Sequence, residues 1–334
     1  MKYNILGNTG MKVSRVGFGG IPIQHLNQDK ATEVINKAIE MDINFFDTAR
    51  AYTNSESLFG IALKDYRKDI YIATKSLVRD KEGMLAEVEI SLKELQTDYI
   101  DLYQIHNVGS EEEYEKIIGE DGAYEALKQL EAEGVIKHIG ITSHKAEIME
   151  KAIESDLFET VQFPFNVLET EAAEIFKKAT DKNLGTIAMK PLAGGALRNG
   201  RDAIKFLLES PYLDVAIPGM DTVEQVIENA TAANDVSLTD KERQELLATA
   251  KELGQSFCRR CGYCLPCSEG INIPYMFLVE AYYTRYDLKD WATQRYLTQD
   301  KTAGDCIKCG ICETRCPYEL PIMEMMEQVE SIFE

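Results

Sequence analysis

The sequence predicts a parallel (β/α)8 barrel followed by a small, mainly helical, cysteine-rich domain, an α/β chain in two parts. Three observations carry the prediction. Short, almost continuously apolar runs alternate eight times with segments of helical period, up to about residue 235. The 334 residues leave room for one large domain of about 250 residues and a small one. All eight cysteines lie between Cys258 and Cys316, and none precedes them.

The elements follow in order. VGFGG (16–20) is the first strand, and DKATEVINKAIEMD (29–42) repeats its apolar residues at helical spacing. INFFDTA (43–49), IYIATK (70–75) and YIDLYQIH (99–106) are the next three strands, with EGMLAEVEISLKELQ (82–96) as the helix after the third. HIGITS (138–143), TVQFPFN (160–166), TIAMKPL (186–192) and DVAIPGM (214–220) complete the eight, and TVEQVIENATAAND (222–235) is the helix after the last. Runs that are apolar throughout suit parallel strands covered on both faces. A doubly wound open sheet is the alternative, but no strand-to-helix turn carries the G-x-G-x-x-G of its dinucleotide-binding version. The barrel is expected over residues 1–250 and the second domain over 251–334.

The formal net charge is −20, of which residues 1–250 carry −16. A field of that sign repels phosphate backbones, which argues against nucleic acid as a partner. No apolar run approaches the roughly 20 residues that span a bilayer, and MKYNILGNTGMKVSRVGFGG has neither a secretory nor a transit pattern. A cytoplasmic protein without membrane contact is expected.

Chemistry in such barrels gathers at the C-terminal ends of the strands. There the second strand ends on Asp47 and leads to Tyr52, the third ends on Lys75 and the fourth on His106. Each alone has an ordinary structural explanation, but four proton-handling side chains at three neighbouring strand ends converge on one point.

The stretches DTARAYTNSESLFG (47–60), IYIATKS (70–76), SLKELQTDYIDLYQIH (91–106), GVIKHIGITSH (134–144) and VIENA (226–230) resemble the aldo-keto reductases over roughly residues 1–235. The resemblance implies a nicotinamide-dependent carbonyl reductase, or alcohol dehydrogenase, with Asp47, Tyr52, Lys75 and His106 as its catalytic tetrad. Tyr52 is the implied proton donor, with Lys75 lowering its pKa, Asp47 holding the ammonium and His106 orienting the carbonyl. It also implies that Thr142, Ser143 and Gln162 bind the carboxamide, that Met189 lies against the nicotinamide ring, that Gly194 and Gly195 in KPLAGGAL (190–197) approach the phosphates, and that Glu228 and Asn229 lie on the adenine side. Where NADPH-using members carry a lysine and an arginine for the 2′-phosphate, this chain has Gly219, Met220 and Gln225. NAD(H) or NADP(H) is therefore the expected cofactor, without a strong preference for the phosphorylated form.

CIKCGICETRCP (306–317) is the Cys-x-x-Cys-x-x-Cys-x-x-x-Cys-Pro run of bacterial ferredoxins, and CRRCGYCLPC (258–267) is a near copy of it. Disulfides belong to oxidising compartments, and zinc sites space their cysteine pairs more widely. Two [4Fe-4S] clusters are expected on Cys258, Cys261, Cys264, Cys267, Cys306, Cys309, Cys312 and Cys316, the fourth cysteine of each run reaching the other cluster. The segment between the runs, residues 269–305, holds Phe277, Tyr282, Tyr283 and Trp291 at helical spacing, expected mainly as core of the small domain. By the same resemblance this domain falls where the family's C-terminal segment crosses the barrel mouth. The partners expected are a small carbonyl or alcohol substrate and, as a candidate, a ferredoxin or another redox protein. The alternatives to an oxidoreductase are an electron-transfer subunit and a nucleotide-sensing barrel working with a redox partner.

Overall fold

The computed structural model describes residues 1–333. An antiparallel hairpin of β1 (Tyr3–Ile5) and β2 (Lys12–Ser14) comes first. Eight parallel strands then pair in sequence order: β3 (Phe18–Gly19), β4 (Phe45–Asp47), β5 (Tyr71–Ser76), β6 (Ile100–Ile105), β7 (Ile136–Thr142), β8 (Thr160–Pro164), β9 (Gly185–Met189) and β10 (Val215–Ile217). Each expected apolar run overlaps one of them, with β5, β7 and β9 reaching one or two residues beyond the runs at 70–75, 138–143 and 186–192. Bridges from Val16 to Ala216 and from Gly19 to Gly219 join the two edges and close the barrel.

The strands are buried on both faces, which explains their unbroken hydrophobicity. On the outside, Phe46, Ile72, Tyr103, Ile141 and Val161 pack against helices such as Gln28–Glu40, Lys81–Glu94 and Ala172–Asp181. Inside, Phe45, Ala73, Leu102, Ile187, Val215 and Ile217 meet Leu6, Met11 and Val13 of the hairpin, which plugs the end of the barrel away from the strand C-termini. The hairpin lies outside the sequence expectation, because strands of three residues with largely exposed faces leave no periodic signal. At the other end the filling turns polar, with Asp47, Lys75 and Gln104 all buried.

The helix Asp240–Leu253 starts on a capping box in which Thr239 and Glu242 satisfy each other's backbone amides. It runs past the expected boundary at residue 250. Beyond it come the first cysteine run, the helices Ile273–Thr284 and Lys289–Leu297, the second run with its short helix Ile311–Thr314, and the helix Ile322–Phe333. Met276, Val279, Ala292, Tyr296 and Val329 form a small core of their own, with six of the eight cysteines packed in or against it.

This domain covers the C-terminal mouth of the barrel, as its position in the chain led us to expect. Phe257 packs with Val167, Leu168, Ala193 and Leu197. Arg259 Nε donates to the Leu168 carbonyl at 3.0 Å, Arg295 Nη2 to the Ala51 carbonyl at 3.4 Å, and Lys145 Nζ to the Cys261 carbonyl. Ala51, Lys145, Leu168 and Ala193 follow β4, β7, β8 and β9, so every one of these contacts falls on strand-end loops. No helix among the described residues is long and apolar enough to cross a membrane.

Candidate active site and cysteine domain

Three neighbouring strand ends, those of β4, β5 and β6, build the centre of the site. Lys75 Nζ donates to Asp47 Oδ1 at 2.6 Å and to the Thr48 carbonyl at 2.7 Å, while Asp47 Oδ2 accepts from Gln104 Nε2 at 3.3 Å. Parallel register makes this possible, since Lys75 pairs with Gln104 across β5 and β6 and Asp47 pairs with Ala73 across β4 and β5. Both members of the ion pair are almost fully buried. Burial raises the Asp47 pKa and lowers that of Lys75, and their mutual attraction opposes both shifts.

Tyr52 stands over this pair. Its ring centroid is 5.2 Å from Lys75 Nζ and meets the His106 ring edge-on at 5.9 Å. Burial drives the Tyr52 pKa well above its ordinary value, and the charges of Asp47, Tyr282 and Tyr286 push the same way. This corrects the expectation that Lys75 lowers it. The ammonium is committed to Asp47 and Thr48, and the carboxylate that holds it also repels a phenolate. Tyr52 therefore keeps its proton, as a donor must before it acts. His106 is neutral, since burial and the cations Lys75, Arg79 and Lys190 hold its pKa well below the usual value. Its Nδ1 has no hydrogen-bond partner.

A cavity of about 490 Å³ opens above Tyr52 and His106, roofed by Phe277, Tyr282, Tyr286 and Trp291 of the small domain. Of the aromatics expected as core, Trp291 faces the cavity, Phe277 and Tyr282 line it and also pack in or against the core, and Tyr283 packs against the core and on Phe333. Gln162, Met189 and Gly194 also line it. Thr142 and Ser143 do not. The Thr142 hydroxyl accepts from the Asn107 amide at 2.7 Å, and the Ser143 hydroxyl donates to the Val108 carbonyl at 2.6 Å, so both are spent on loop backbone. Their successor His144 lines the cavity instead, together with Lys190 and Arg260. The sequence reading passed over these three. In KPLAGGAL and CRRC a cation beside glycines or cysteines carries no local signal that sets it apart from a solvated one. Gly194 and Gly195 adopt left-handed φ of +62° and +82° beneath Tyr286 and Arg285, and a side chain added at Gly194 would meet the Tyr286 hydroxyl. Glu228 accepts from the Arg201 amide at 3.0 Å, and Asn229 is buried beside Gly200, its Oδ1 unpartnered.

The two cysteine runs share one local geometry. In each, the residue before the second cysteine (Arg260, Lys308) and the glycine after it (Gly262, Gly310) are left-handed, so the chain wraps inward twice in the same way. All eight cysteines are free thiols. Cys258 lies within electrostatic reach of Cys261 and Cys316, whereas Cys267 shares a small pocket with Cys306, Cys309 and Cys312. Cys264 lines that pocket too, while acting electrostatically with Cys258 and Cys261. Cys316 of the second run thus reaches the first, and Cys267 of the first shares a pocket with the second. Among the described residues, no three His, Cys, Asp or Glu side chains are grouped so as to hold a single metal ion.

The model of the Aldo/keto reductase family matches residues 15–203, more than half of the chain. The chain belongs to the aldo/keto reductase family. A second model, the 4Fe-4S dicluster domain, matches residues 257–321. Among relatives, the uncharacterised oxidoreductase YqkF of Bacillus subtilis is 28% identical over 264 residues, covering 74% of this chain and 83% of the relative. The L-galactose dehydrogenase of Arabidopsis thaliana is 28% identical over 295 residues, covering 72% and 91%. Among solved structures, the holo form of the aldo-keto reductase AKR11C1 from Bacillus halodurans superposes with a TM-score of 0.65 at 26% identity, covering 75% of this chain and 96% of that one. This aldo/keto reductase is thus an oxidoreductase whose barrel carries an iron-sulfur domain over its mouth.

Proposed function

We propose that the protein reduces a carbonyl, or oxidises the corresponding alcohol, with a nicotinamide cofactor in the covered cavity. The observation that carries this reading is Tyr52 packed beside His106 in the cavity wall, over a buried Lys75–Asp47 pair. When bound, the reduced nicotinamide supplies the hydride that the carbonyl carbon receives. The chain's own part is to hold the carbonyl oxygen between Tyr52 and His106 and to deliver the Tyr52 proton as negative charge develops on that oxygen. Gln162 fits the carboxamide, because its buried Oε1 has no partner and can accept from an amide N–H. Met189 fits the ring face, and the left-handed turn at Gly194 and Gly195 fits a close approach of phosphates. The eight free thiols, three-quarters of them packed in or against one small core, fit two [4Fe-4S] clusters.

The test is reduction of an aldehyde and ketone panel under anaerobic conditions with nicotinamide deuterated at C4. Deuterium on the product carbinol carbon is expected, and turnover without label would overturn the reading. Exchange of electrons between the cap and the cavity is a second reading, favoured by Cys258, which lies in the wall of the same cavity as Tyr52. Anaerobic NADH is expected to bleach the visible absorbance of the cluster-loaded protein if that reading holds, and unchanged absorbance sinks it.

Coenzyme preference follows from the strand end after β10. Gly219 lines the cavity, Met220 is buried and Gln225 accepts from the Asp221 amide at 2.8 Å, so no cation stands at these three positions. NADPH is expected to bind less than about 100-fold more tightly than NADH, a gap of about 2.7 kcal/mol. Fluorescence titration with each coenzyme measures it.

A further inference from the structure

The protein is strongly acidic, yet its cavity is not. Lys145, Lys190, Arg260, Arg285 and Arg295 line it, against the carboxylates of Asp47 and Glu280. Most of these charges are occupied. Asp47 holds Lys75, Glu280 holds Arg285 at 3.8 Å, Lys145 donates to Cys261, and Arg295 stacks on Trp291 while donating to Ala51. Arg260 and Lys190 are different. Arg260 Nε and Nη2 are buried without a hydrogen bond, the nearest carboxylate being Glu169 at 3.9 Å, and Lys190 Nζ has only His144 Nε2 at 3.5 Å. Those two Arg260 nitrogens form one edge of the guanidinium, the edge that meets both oxygens of a carboxylate at once. Arg260 and Lys190 both line the cavity, and a buried guanidinium edge without an acceptor costs free energy until something accepts from it.

We propose that Arg260, with Lys190 and His144 beside it, binds the carboxylate of the substrate, so that the carbonyl compound reduced here is an oxo acid. This rests on the carbonyl-reductase reading and names its substrate class. The site is next to the chemistry, since His144, Lys190 and Arg260 line the same cavity as Tyr52 and His106. A singly charged carboxylate suits it better than a phosphate dianion. Glu169, 3.9 Å from Arg260 Nη2, offsets part of the Arg260 charge and repels a dianion more than a monoanion. Arg260 comes from the cysteine domain and Lys190 from the barrel, so the site exists only when the cap is docked. A cap lost or displaced then removes substrate selection together with its clusters.

The experiment uses cluster-loaded full-length protein and two kinds of probe. Short ω-oxo carboxylic acids are compared with their methyl esters as substrates, and glutarate, which cannot be reduced, is titrated by calorimetry in the presence of NAD. The acids are expected to exceed their esters in kcat/KM by on the order of 10²-fold. Arg260→Met is expected to abolish that preference and glutarate binding, lowering kcat/KM for the acid far more than for the ester, and Arg260→Lys to restore part of both. Because Arg260 lies between two cysteines, iron is measured in each variant, and Lys190→Met carries the same glutarate test if Arg260→Met loses its clusters. Equal rates for acid and ester in the unaltered protein, with no glutarate binding, overturn the proposal. So does an Arg260→Met variant that loses NADH affinity but not glutarate affinity, which would assign the cations to the cofactor. If no carbonyl is reduced but glutarate binds in an Arg260-dependent way, the anion site stands and the carbonyl-reductase reading falls.

Discussion

Replacing Tyr52 with Phe is expected to slow carbonyl reduction by about 10²- to 10⁴-fold, the usual worth of a positioned acid, while nicotinamide affinity stays within about threefold. The phenol keeps its proton directly over the buried pair, and Phe preserves the ring that packs beside His106. Steady-state reduction by the variant at the wild-type rate would refute the assignment. The pH profile adds a second readout. Tyr52 titrates above its ordinary value of 10.0, so its O–H is fully present below pH 10 and is lost only as pH rises through the raised pKa. His106 titrates well below 6.5, so it is neutral at every higher pH. The chemical step of reduction is therefore expected to be level across neutral and moderately alkaline pH. A limb that falls between pH 7 and 9 and is absent in the Phe variant would show that Tyr52 is acidified after all.

Loss of the second cluster is expected to be nearly as costly. With Cys309 and Cys312 both replaced by Ser, iron content should fall, and carbonyl reduction should drop by at least about 10²-fold, the scale set by ångström-level misplacement of a bound reactant. Nicotinamide affinity should change far less, because Gln162, Met189 and Gly194 belong to the barrel. The route runs through the last helix. Glu313, next to Cys312, accepts from the Met323 amide at 2.8 Å, and the helix Ile322–Phe333 places Met325, Gln328 and Val329 in the cavity wall. A domain of this size has little core, so metal ligation contributes a large part of its folding free energy. Metal analysis, fluorescence titration and steady-state rates on one preparation test the chain of reasoning. A variant that loses its iron yet keeps full turnover would break it.

The sequence by itself determined what short-range pattern encodes. Eight apolar runs in β order, helices of 3.6-residue period between them and the three-residue spacing of the cysteines are local properties, and each strand forms where its run predicts. The positions of Asp47, Tyr52, Lys75 and His106 were legible for the same reason, because a strand end in a closed barrel points at one mouth. What only the tertiary structure decided depends on groups far apart in the chain. Whether Tyr52 is made more or less acidic is a balance of burial, Asp47 and the roof tyrosines Tyr282 and Tyr286, more than 200 residues away, and that balance reversed the sign read from Lys75 alone. The plug of the barrel by Leu6, Met11 and Val13 carries no periodic signal in strands so short. The hydroxyls of Thr142 and Ser143 turn to loop carbonyls and amides that only the folded loop presents. Arg260 and Lys190 look like ordinary solvated cations in the sequence. Docking the cysteine domain over the barrel mouth removes their water and leaves them only long contacts, to Glu169 at 3.9 Å and to His144 at 3.5 Å, and that desolvation is the ground for the carboxylate site proposed above.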